Sequence, residues 1–156
     1  MSKKVILLAN LGSPNSPKVK DVKPYLDEFL MDEKVIDVPY WLRYLLVKGI
    51  IVPFRSPKSA KAYQSIWTEE GSLLIVITKA LSELLAKQSG LPTYYCMRYA
   101  NPTPQSILQK IADENPHADE VILVPMYPHY AMSSYETAME HVNKAYDKGN
   151  FSFSLK

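Results

Sequence analysis

Cysteine and glycine are both scarce in this sequence, and each shortage excludes a class of site. Cys96 is the only cysteine in 156 residues, which excludes an intramolecular disulfide, a cysteine-rich zinc site and an iron–sulfur cluster held by this chain alone. The five glycines are too far apart for a G-x-G-x-x-G or Walker A loop, so nucleotide binding through those motifs is excluded. The three histidines show neither H-x-H nor i, i+4 spacing, and we expect this chain to bind no metal and no cofactor.

A strong charge of one sign and a long apolar run are also absent. The 18 basic and 16 acidic residues leave a net charge of +2, which argues against a nucleic-acid partner. No run approaches the roughly 18 apolar residues of a membrane span, and residues 5–8 are too few for the apolar core of a signal peptide. The expected location is therefore the cytoplasm. A chain of 156 residues, 47% of them hydrophobic, suits one domain with a sizeable core.

Apolar runs bounded by turn residues alternate with helical patterns along the chain. The runs at residues 5–9, 93–99, 120–125 and 151–155 are predicted to be β-strands. Strands that alternate with helices predict an α/β fold with three α/β/α layers and a mostly parallel sheet, of flavodoxin- or Rossmann-like topology. The last predicted strand reaches the final residues with nothing after it to cover the sheet edge, which suggests a larger architecture.

Helix starts are marked by short capping motifs. Ser16-Pro17, Ser56-Pro57 and Thr103-Pro104 each place a capping hydroxyl before a proline, and Ser133 with Glu136 forms a capping box. Pro24 is expected to disturb the first of these helices. The clearest helix is predicted at residues 72–87. Its apolar stripe consists of Leu73, Leu74, Ile77, Leu81, Leu84 and Leu85.

Ligands of such folds bind beyond the C-terminal ends of the strands, which directs attention to residues 10–14, 98–102 and 126–134. An arginine and several tyrosines there form a suitable wall for a flat, anionic aromatic ligand, although they could equally cap the core. Cys96 is expected to be a buried strand residue. The candidate residues in these loops are Arg98, Tyr99, Tyr127, His129, Tyr130, Ser133 and Ser134.

Residues 41–54, from Trp41 to Phe54, form the most apolar segment outside the predicted strands. The segment is too short to cross a bilayer of about 30 Å as a helix. Three interpretations remain open on composition alone. It could be a buried helix, a lip over an apolar ligand, or an element that lies in a membrane interface.

Six short segments, in this order along the chain, together resemble the ferrochelatase family. They are LANLGSP (8–14), RSPKS (55–59), YQSIW (63–67), GSLL (71–74), MRYANP (97–102) and PMYPHY (125–130). Members of this family insert ferrous iron into protoporphyrin IX to make haem. The resemblance covers the N-terminal half of the family only. It departs from the family pattern at Leu73, where proline is usual, and at His129, where glutamine is usual.

The resemblance implies a chelatase-like domain at residues 1–156, one of two similar domains, with the C-terminal domain outside this chain. The porphyrin would lie in a cleft between the two domains, under a lip at residues 39–54 that would also touch the inner membrane peripherally. Arg55, Tyr63 and Ser72 would meet the propionates, and Arg98 and Tyr99 would face the side from which the metal enters. The full implied set is Leu11, Arg55, Tyr63, Ser72, Arg98, Tyr99, Tyr127 and Ser133.

The implied activity is that of a lyase whose substrates, ferrous iron and protoporphyrin IX, are not resident cofactors. The family assigns proton removal to a histidine with a nearby glutamate, both in the C-terminal half, so no catalytic or metal-binding residue is assigned in this chain. Two alternatives stay open. One is a half-size homodimeric tetrapyrrole chelatase, a class that places a histidine near the first strand, where this chain has Asn10. The other is a non-enzymatic porphyrin-binding module.

Overall fold

The structure is a computed structural model that describes residues 3–156. The strands are β1 (Lys4–Gly12), β2 (Trp67–Thr68), β3 (Gly71–Ser72), β4 (Thr93–Tyr99), β5 (Glu120–Pro125) and β6 (Ser154–Leu155). The helices are α1 (Val19–Leu30), α2 (Tyr40–Tyr44), α3 (Val52–Ile66), α4 (Leu73–Ser89), α5 (Pro104–Glu114) and α6 (Thr137–Gly149). Two π-helical turns lie at Leu45–Ile51 and Met132–Glu136.

Four parallel strands form the main sheet in the order β4-β1-β5-β6, while β2 and β3 form a separate hairpin. Counted in chain order, the parallel strands read 2-1-3-4, which is the flavodoxin-type order rather than the Rossmann order. The predicted α/β fold with a parallel sheet is therefore confirmed. Successive strands are added first on one side of β1, as β4, and then on its other side, as β5. Ligands of such folds bind at this switch point between β1 and β5.

The two faces of the sheet are covered by different helices. Val5 and Leu7 of β1 point to one face, where they share a buried core with Leu108 of α5 and Val142 of α6. Asn10 points to the opposite face and donates a side-chain hydrogen bond of 2.9 Å to Thr78 of α4. Because both faces of β1 are packed, its sequence is a continuous apolar run without the alternation of a half-exposed strand.

A second buried cluster lies at the C-terminal end of β4 and is built by α1 and α3. Val22 and Leu26 of α1, Val47 of the first π-helical turn and Ala60 of α3 surround Tyr99, the last residue of β4. This cluster attaches the long insertion between β1 and α4 to the edge of the sheet where ligands are expected.

Two of the predicted helix starts are near their observed positions. The Thr103 hydroxyl accepts a hydrogen bond from the Ser106 amide, so Thr103 caps α5 as predicted. The Ser16 hydroxyl caps no helix but donates to the Asp21 carboxylate, and α1 begins two turn residues later than its motif. Pro24 lies inside α1 without ending it, because the helix continues to Leu30 and buries its apolar face.

The other two predicted starts are wrong. Ser56-Pro57 lies inside α3, where the buried Ser56 hydroxyl donates to the Val52 carbonyl. Packing against α1 keeps the helix intact on both sides of that proline. Ser133 caps nothing either, because the second π-helical turn precedes α6, and Glu136 instead accepts a hydrogen bond of 2.5 Å from Lys34.

Helix α4 is present as predicted, but its apolar stripe does not face the core. The buried side chains of α4 are the small polar Thr78 and Ser82. Small side chains allow the helix to lie close to the sheet, and the Asn10–Thr78 hydrogen bond fixes that contact. Leu73, Ile77 and Leu84 are left on the surface.

Residues 41–54 are also turned outward. The five large exposed side chains of this region are Trp41, Tyr44, Leu45, Ile50 and Phe54, and the preceding Tyr40 is exposed too. Val47 is buried, and so is Arg43, which donates to the Ile36 carbonyl at 3.0 Å. The interpretation as a buried helix is therefore wrong. Among the described residues, no helix combines the length and the apolar character that crossing a membrane requires.

Candidate functional site

The C-terminal ends of β1, β4 and β5 meet at one edge of the sheet. Gly12 of β1 lies opposite Tyr99 of β4, and the Met126 amide donates to the Ala9 carbonyl at 2.8 Å. The predicted loops at residues 10–14, 98–102 and 126–134 start from these three strand ends. The structure therefore brings the starts of all three loops together, as the parallel topology requires.

Gly12 allows the closest backbone approach at this edge. Its φ is +110°, and a β-carbon added there would lie 2.0 Å from the Tyr99 carbonyl oxygen. Only glycine has both the conformational freedom and the space for this contact. The close approach sets the spacing between the first loop and the second.

Five aromatic rings run from this edge toward β2. Tyr99 and Phe29 meet edge to face at 5.1 Å, and Phe29 stacks on Tyr25 at 6.4 Å. Tyr25 meets Tyr63 at 6.1 Å, and Tyr63 meets Trp67 at 6.4 Å. We call this row the aromatic ladder. Burial raises the pKa of the Tyr25 and Tyr63 hydroxyls above their usual range, so both rings are neutral at physiological pH.

Asp32, just after α1, is the hub of a polar network at the same edge. Its Oδ2 accepts hydrogen bonds from the Arg98 guanidinium at 2.6 Å, from the Tyr99 hydroxyl at 2.9 Å and from the Thr137 hydroxyl at 2.5 Å. Its Oδ1 accepts from the Lys34 amide at 2.8 Å. Burial opposes ionisation, but the hydrogen bonds and the Arg98 charge outweigh it and lower the pKa of Asp32.

Arg98 and Tyr99 are both committed to this network. Arg98 donates through Nε to Thr137 at 2.6 Å, its guanidinium lies 4.3 Å from the Tyr99 ring centroid, and its side chain is 14% exposed. Tyr99 has no exposed surface. These two predicted wall residues therefore tie β4 to α6 and to the residues after α1.

Arg55 has the opposite environment. It lies on the exposed side of α3, and within residues 3–156 its guanidinium forms no hydrogen bond or ion pair. Tyr63 lies two turns along the same helix and is partly buried in the aromatic ladder. An uncommitted guanidinium beside aromatic rings suits the carboxylate edge of a flat ligand.

Ser72 lies at the start of α4 and is 8% exposed, but its side chain caps no amide of that helix. Ser13, after β1, is 4% exposed, and its hydroxyl has no hydrogen-bond partner among the described residues. Both serines line a cavity of about 190 Å³ together with Trp67 and Asn101. The N-terminus of α4 lines the same cavity, and so does the acidic Glu70.

The remaining predicted wall residues differ in accessibility. Leu11 is partly buried against the cluster of α1 and α3. Tyr127 is partly buried, and its hydroxyl has no partner within residues 3–156, while burial raises its pKa. Ser133 is exposed on the second π-helical turn. The loop residue His129 is exposed too.

Sequence reasoning missed Asp32, Thr137 and Ser13. Asp32 stands in an ordinary polar stretch, 66 residues from Arg98 and 105 residues from Thr137 along the chain. No local motif relates residues at such separations. The sequence shows Ser13 only as a member of the loop after β1. Only the folded chain shows that its buried hydroxyl has no hydrogen-bond partner among the described residues.

The cavity at Ser72 is smaller than the roughly 300–1,000 Å³ of ordinary ligand pockets, so these residues form a wall rather than an enclosure. A larger cavity of about 530 Å³ lies at the opposite end of the sheet, between Lys3 and His117, away from the switch point. Cys96 is buried, and burial raises its pKa to about 12, which leaves the thiol protonated. Among residues 3–156, no three carboxylate, imidazole or thiol groups cluster closely enough to hold a metal ion.

Comparison with known proteins identifies one family over nearly the whole chain. The family model described as Ferrochelatase matches residues 3–156. A protein named Ferrochelatase from Porphyromonas gingivalis is 46% identical over 142 residues, which cover 90% of this chain and 40% of the relative. One from Opitutus terrae is 49% identical over 145 residues, covering 91% and 41%. One from Vibrio parahaemolyticus is 38% identical over 145 residues, covering 93% and 45%. The chain spans about two-fifths of the length of these curated relatives.

Proposed function

The chain belongs to the ferrochelatase family, and we propose that it forms one wall of a porphyrin cleft in an enzyme that inserts ferrous iron into protoporphyrin IX. The second wall and the group that removes the pyrrole protons are proposed to come from the C-terminal domain of the same enzyme. The proposed location is the cytoplasm, with peripheral contact to the inner membrane.

The observation that carries the proposal is the contrast between two arginines. Arg98 donates hydrogen bonds to Asp32 and Thr137, whereas Arg55 has no partner within residues 3–156. Tyr63 lies two turns from Arg55 on α3 and is a partly exposed ring of the aromatic ladder. Ser72 lines a cavity together with Trp67, the last ring of the ladder. A porphyrin offers the complementary shape, a flat apolar ring with two carboxylates along one edge.

The proposed roles of the other residues follow from their burial. Apolar surface on the ladder and on residues 41–54 would bury the ring face at roughly 25 cal/mol per Å². Arg98 and Tyr99 are proposed to act from behind, by holding the end of β4 in place through Asp32. Binding energy from the ring and the propionates could then support the bending that exposes the pyrrole nitrogens to the metal.

Neither alternative is favoured by a particular observation. The homodimeric half-size chelatases place a histidine near the first strand, but the Asn10 side chain here is engaged with Thr78. A module that only binds porphyrin would use the same wall. The porphyrin titration below therefore tests binding for both functions, and a metal-insertion assay distinguishes the enzyme from the binding module.

Replacement of Arg55 by alanine is expected to weaken protoporphyrin IX binding by about 10- to 100-fold, because a charge-assisted hydrogen bond to a propionate is worth about 1.5–3 kcal/mol. The measurement is a Soret-band or tryptophan-fluorescence titration of the whole chain. Lys58→Ala is the matched control, because Lys58 is also an exposed cation on α3 and also has no ion pair within residues 3–156. Equal affinities for both variants would argue against the propionate role. The isolated chain is expected to show no metal insertion.

The outward-facing segment gives a second prediction, about membranes. Trp41 and Phe54 are 64% and 79% exposed, and we expect the chain to bind vesicles of anionic lipid through them. Replacing both residues with serine is expected to lower vesicle binding in a flotation assay by about 10-fold or more. The reason is that burial of each ring's apolar surface in the bilayer contributes about 1.5–3 kcal/mol to binding. Tyr130→Ser, at 63% exposure outside the segment, should bind like the unchanged chain. Flotation of the double variant at the original level would exclude this contact.

A further inference from the structure

Arg43 of α2 is a buried cation without a counter-ion. The residue is 6% exposed, and its Nη1 donates hydrogen bonds to the Ile36 and Val38 carbonyls at 3.0 and 3.3 Å. Within residues 3–156 its guanidinium forms no ion pair with a carboxylate. Buried charges are normally paired, because desolvation of a charge is costly unless an opposite charge compensates for it. An anion beside Arg43 would provide that compensation.

Two nitrogens of the Arg43 guanidinium are unused. Nε is buried and has no hydrogen-bond partner among the described residues. Both hydrogen bonds of the side chain come from Nη1, so Nη2 donates none within residues 3–156 either. Nε and Nη2 together form one edge of the planar group. Such an edge can bind two oxygens of a carboxylate or a phosphate side by side.

Arg43 lines a polar cavity of about 230 Å³. Asp32 and Lys34, which follow α1, contribute to the cavity wall, and α6 contributes Thr137 and Lys144. Pockets for larger organic ligands measure roughly 300–1,000 Å³, so this cavity suits a small ion better than an extended molecule. We call it the Arg43 cavity.

Most other charged groups of the Arg43 cavity are already paired. Arg98 forms an ion pair with Asp32 at 2.6 Å. Lys34 and Lys144 share Glu140, at 3.0 and 3.5 Å. These carboxylates are therefore engaged by other cations, and Arg43 keeps an uncompensated charge.

The remaining groups of the Arg43 cavity are Glu33 and His141. Glu33 is exposed and forms no ion pair within residues 3–156. Burial lowers the pKa of His141, and the charges of Arg98 and Lys144 lower it further, against the opposing effect of Asp32. The charges around this imidazole thus favour an anion over a second cation.

We propose that the Arg43 cavity binds a small oxyanion, with the Arg43 guanidinium as its main partner and Lys144 on the exposed side. Phosphate and carboxylate groups both present the required pair of oxygens, and the test below distinguishes them. The proposal is independent of the porphyrin function, because Arg55, Tyr63 and Ser72 do not line this cavity.

A ligand that binds the folded chain raises its stability with a saturable dependence on concentration. The measurement is the urea midpoint of the whole chain in increasing inorganic phosphate, with chloride added to hold the ionic strength constant. A parallel titration with acetate tests the carboxylate, and the anion with the lower half-saturation concentration identifies the ligand class. We expect a saturable rise of the midpoint. A rise that does not saturate for either anion is the general effect of such salts on stability, and it would overturn the proposal.

Arg43→Lys keeps the charge but removes the planar edge. The half-saturation concentration is therefore expected to rise at least 10-fold. Circular dichroism establishes whether this variant folds, because Arg43 also holds the Ile36 and Val38 carbonyls. A folded Arg43→Lys variant with unchanged half-saturation would show that the guanidinium does not bind the anion.

Two exposed residues provide a test that does not disturb the buried contacts. Lys144→Ala is expected to raise the half-saturation concentration about 2- to 5-fold, and Glu33→Gln to lower it by a similar factor. Lys79→Ala is the matched control, because Lys79 is also exposed and pairs with Glu83 four residues away, as Lys144 does with Glu140. It should bind the anion like the unchanged chain. If Lys144→Ala and Glu33→Gln both match this control, the proposal is overturned, whatever the result for Arg43→Lys.

Discussion

Replacement of Gly12 by alanine is expected to lower the free energy of unfolding by about 2–5 kcal/mol. The φ of +110° is unfavourable for any residue with a β-carbon, by about 1–2 kcal/mol. The added carbon would also lie 2.0 Å from the Tyr99 carbonyl oxygen, so β1 and β4 would have to separate, which adds about 1–3 kcal/mol of overpacking. Urea denaturation followed by circular dichroism measures the change.

Two other glycines separate the causes of this effect. Gly90 has a φ of +69° but open space around it, so Gly90→Ala should show the backbone penalty alone, about 1 kcal/mol. Gly49 has neither a positive φ nor a near neighbour, so Gly49→Ala should leave stability nearly unchanged or raise it slightly. If Gly12→Ala were no more destabilising than Gly90→Ala, the close approach to Tyr99 would not be rigid.

The separation of β1 and β4 in Gly12→Ala also bears on the site. Leu11 and Ser13 flank the glycine, and Tyr99 opposite it belongs both to the aromatic ladder and to the Asp32 network. We therefore expect porphyrin affinity to fall together with stability in this variant. In Gly90→Ala, at the far end of α4, porphyrin affinity should stay at the level of the unchanged chain.

The strands could be predicted from the sequence because a parallel strand that is buried on both faces is a continuous run of apolar residues. Residues 5–9 and 121–125 are continuous apolar runs, and the structure places both at the centre of the sheet. Capping motifs were less reliable. Thr103 caps its helix through its hydroxyl, whereas α3 extends backward through Ser56, where packing on α1 supports the longer helix.

The site was harder to predict, because its contacts join residues far apart in the chain. The resemblance to a known family marked Arg98 and Tyr99, but no local pattern identifies Asp32, the carboxylate to which both side chains donate hydrogen bonds. The predicted apolar stripe of α4 did not indicate which side of the helix is buried. Only the folded chain shows that Thr78 and Ser82 take the inner positions.

Replacement of Asp32 by asparagine is expected to lower the free energy of unfolding by about 3 kcal/mol at pH 7. Asparagine keeps the shape of the side chain but removes its charge, which leaves the largely buried Arg98 guanidinium without its closest counter-ion. Glu28, at 3.9 Å from Arg98, is too exposed to replace it fully. Glu33→Gln is the matched control, because Glu33 is adjacent and exposed, and its change should stay within about 0.5 kcal/mol.

The pH dependence of this effect identifies its origin. The pKa of Asp32 is lower in the folded chain than in the unfolded chain, so the folded state binds fewer protons and is favoured as the pH rises. The contribution is complete above the unfolded pKa of about 3.9 and is lost as the pH falls below that value. The stability gap between the unchanged chain and Asp32→Asn should therefore be constant above about pH 5 and close toward pH 3. A gap that persists unchanged at pH 3 would show that Asp32 acts through shape and hydrogen bonding, and not through its charge on Arg98.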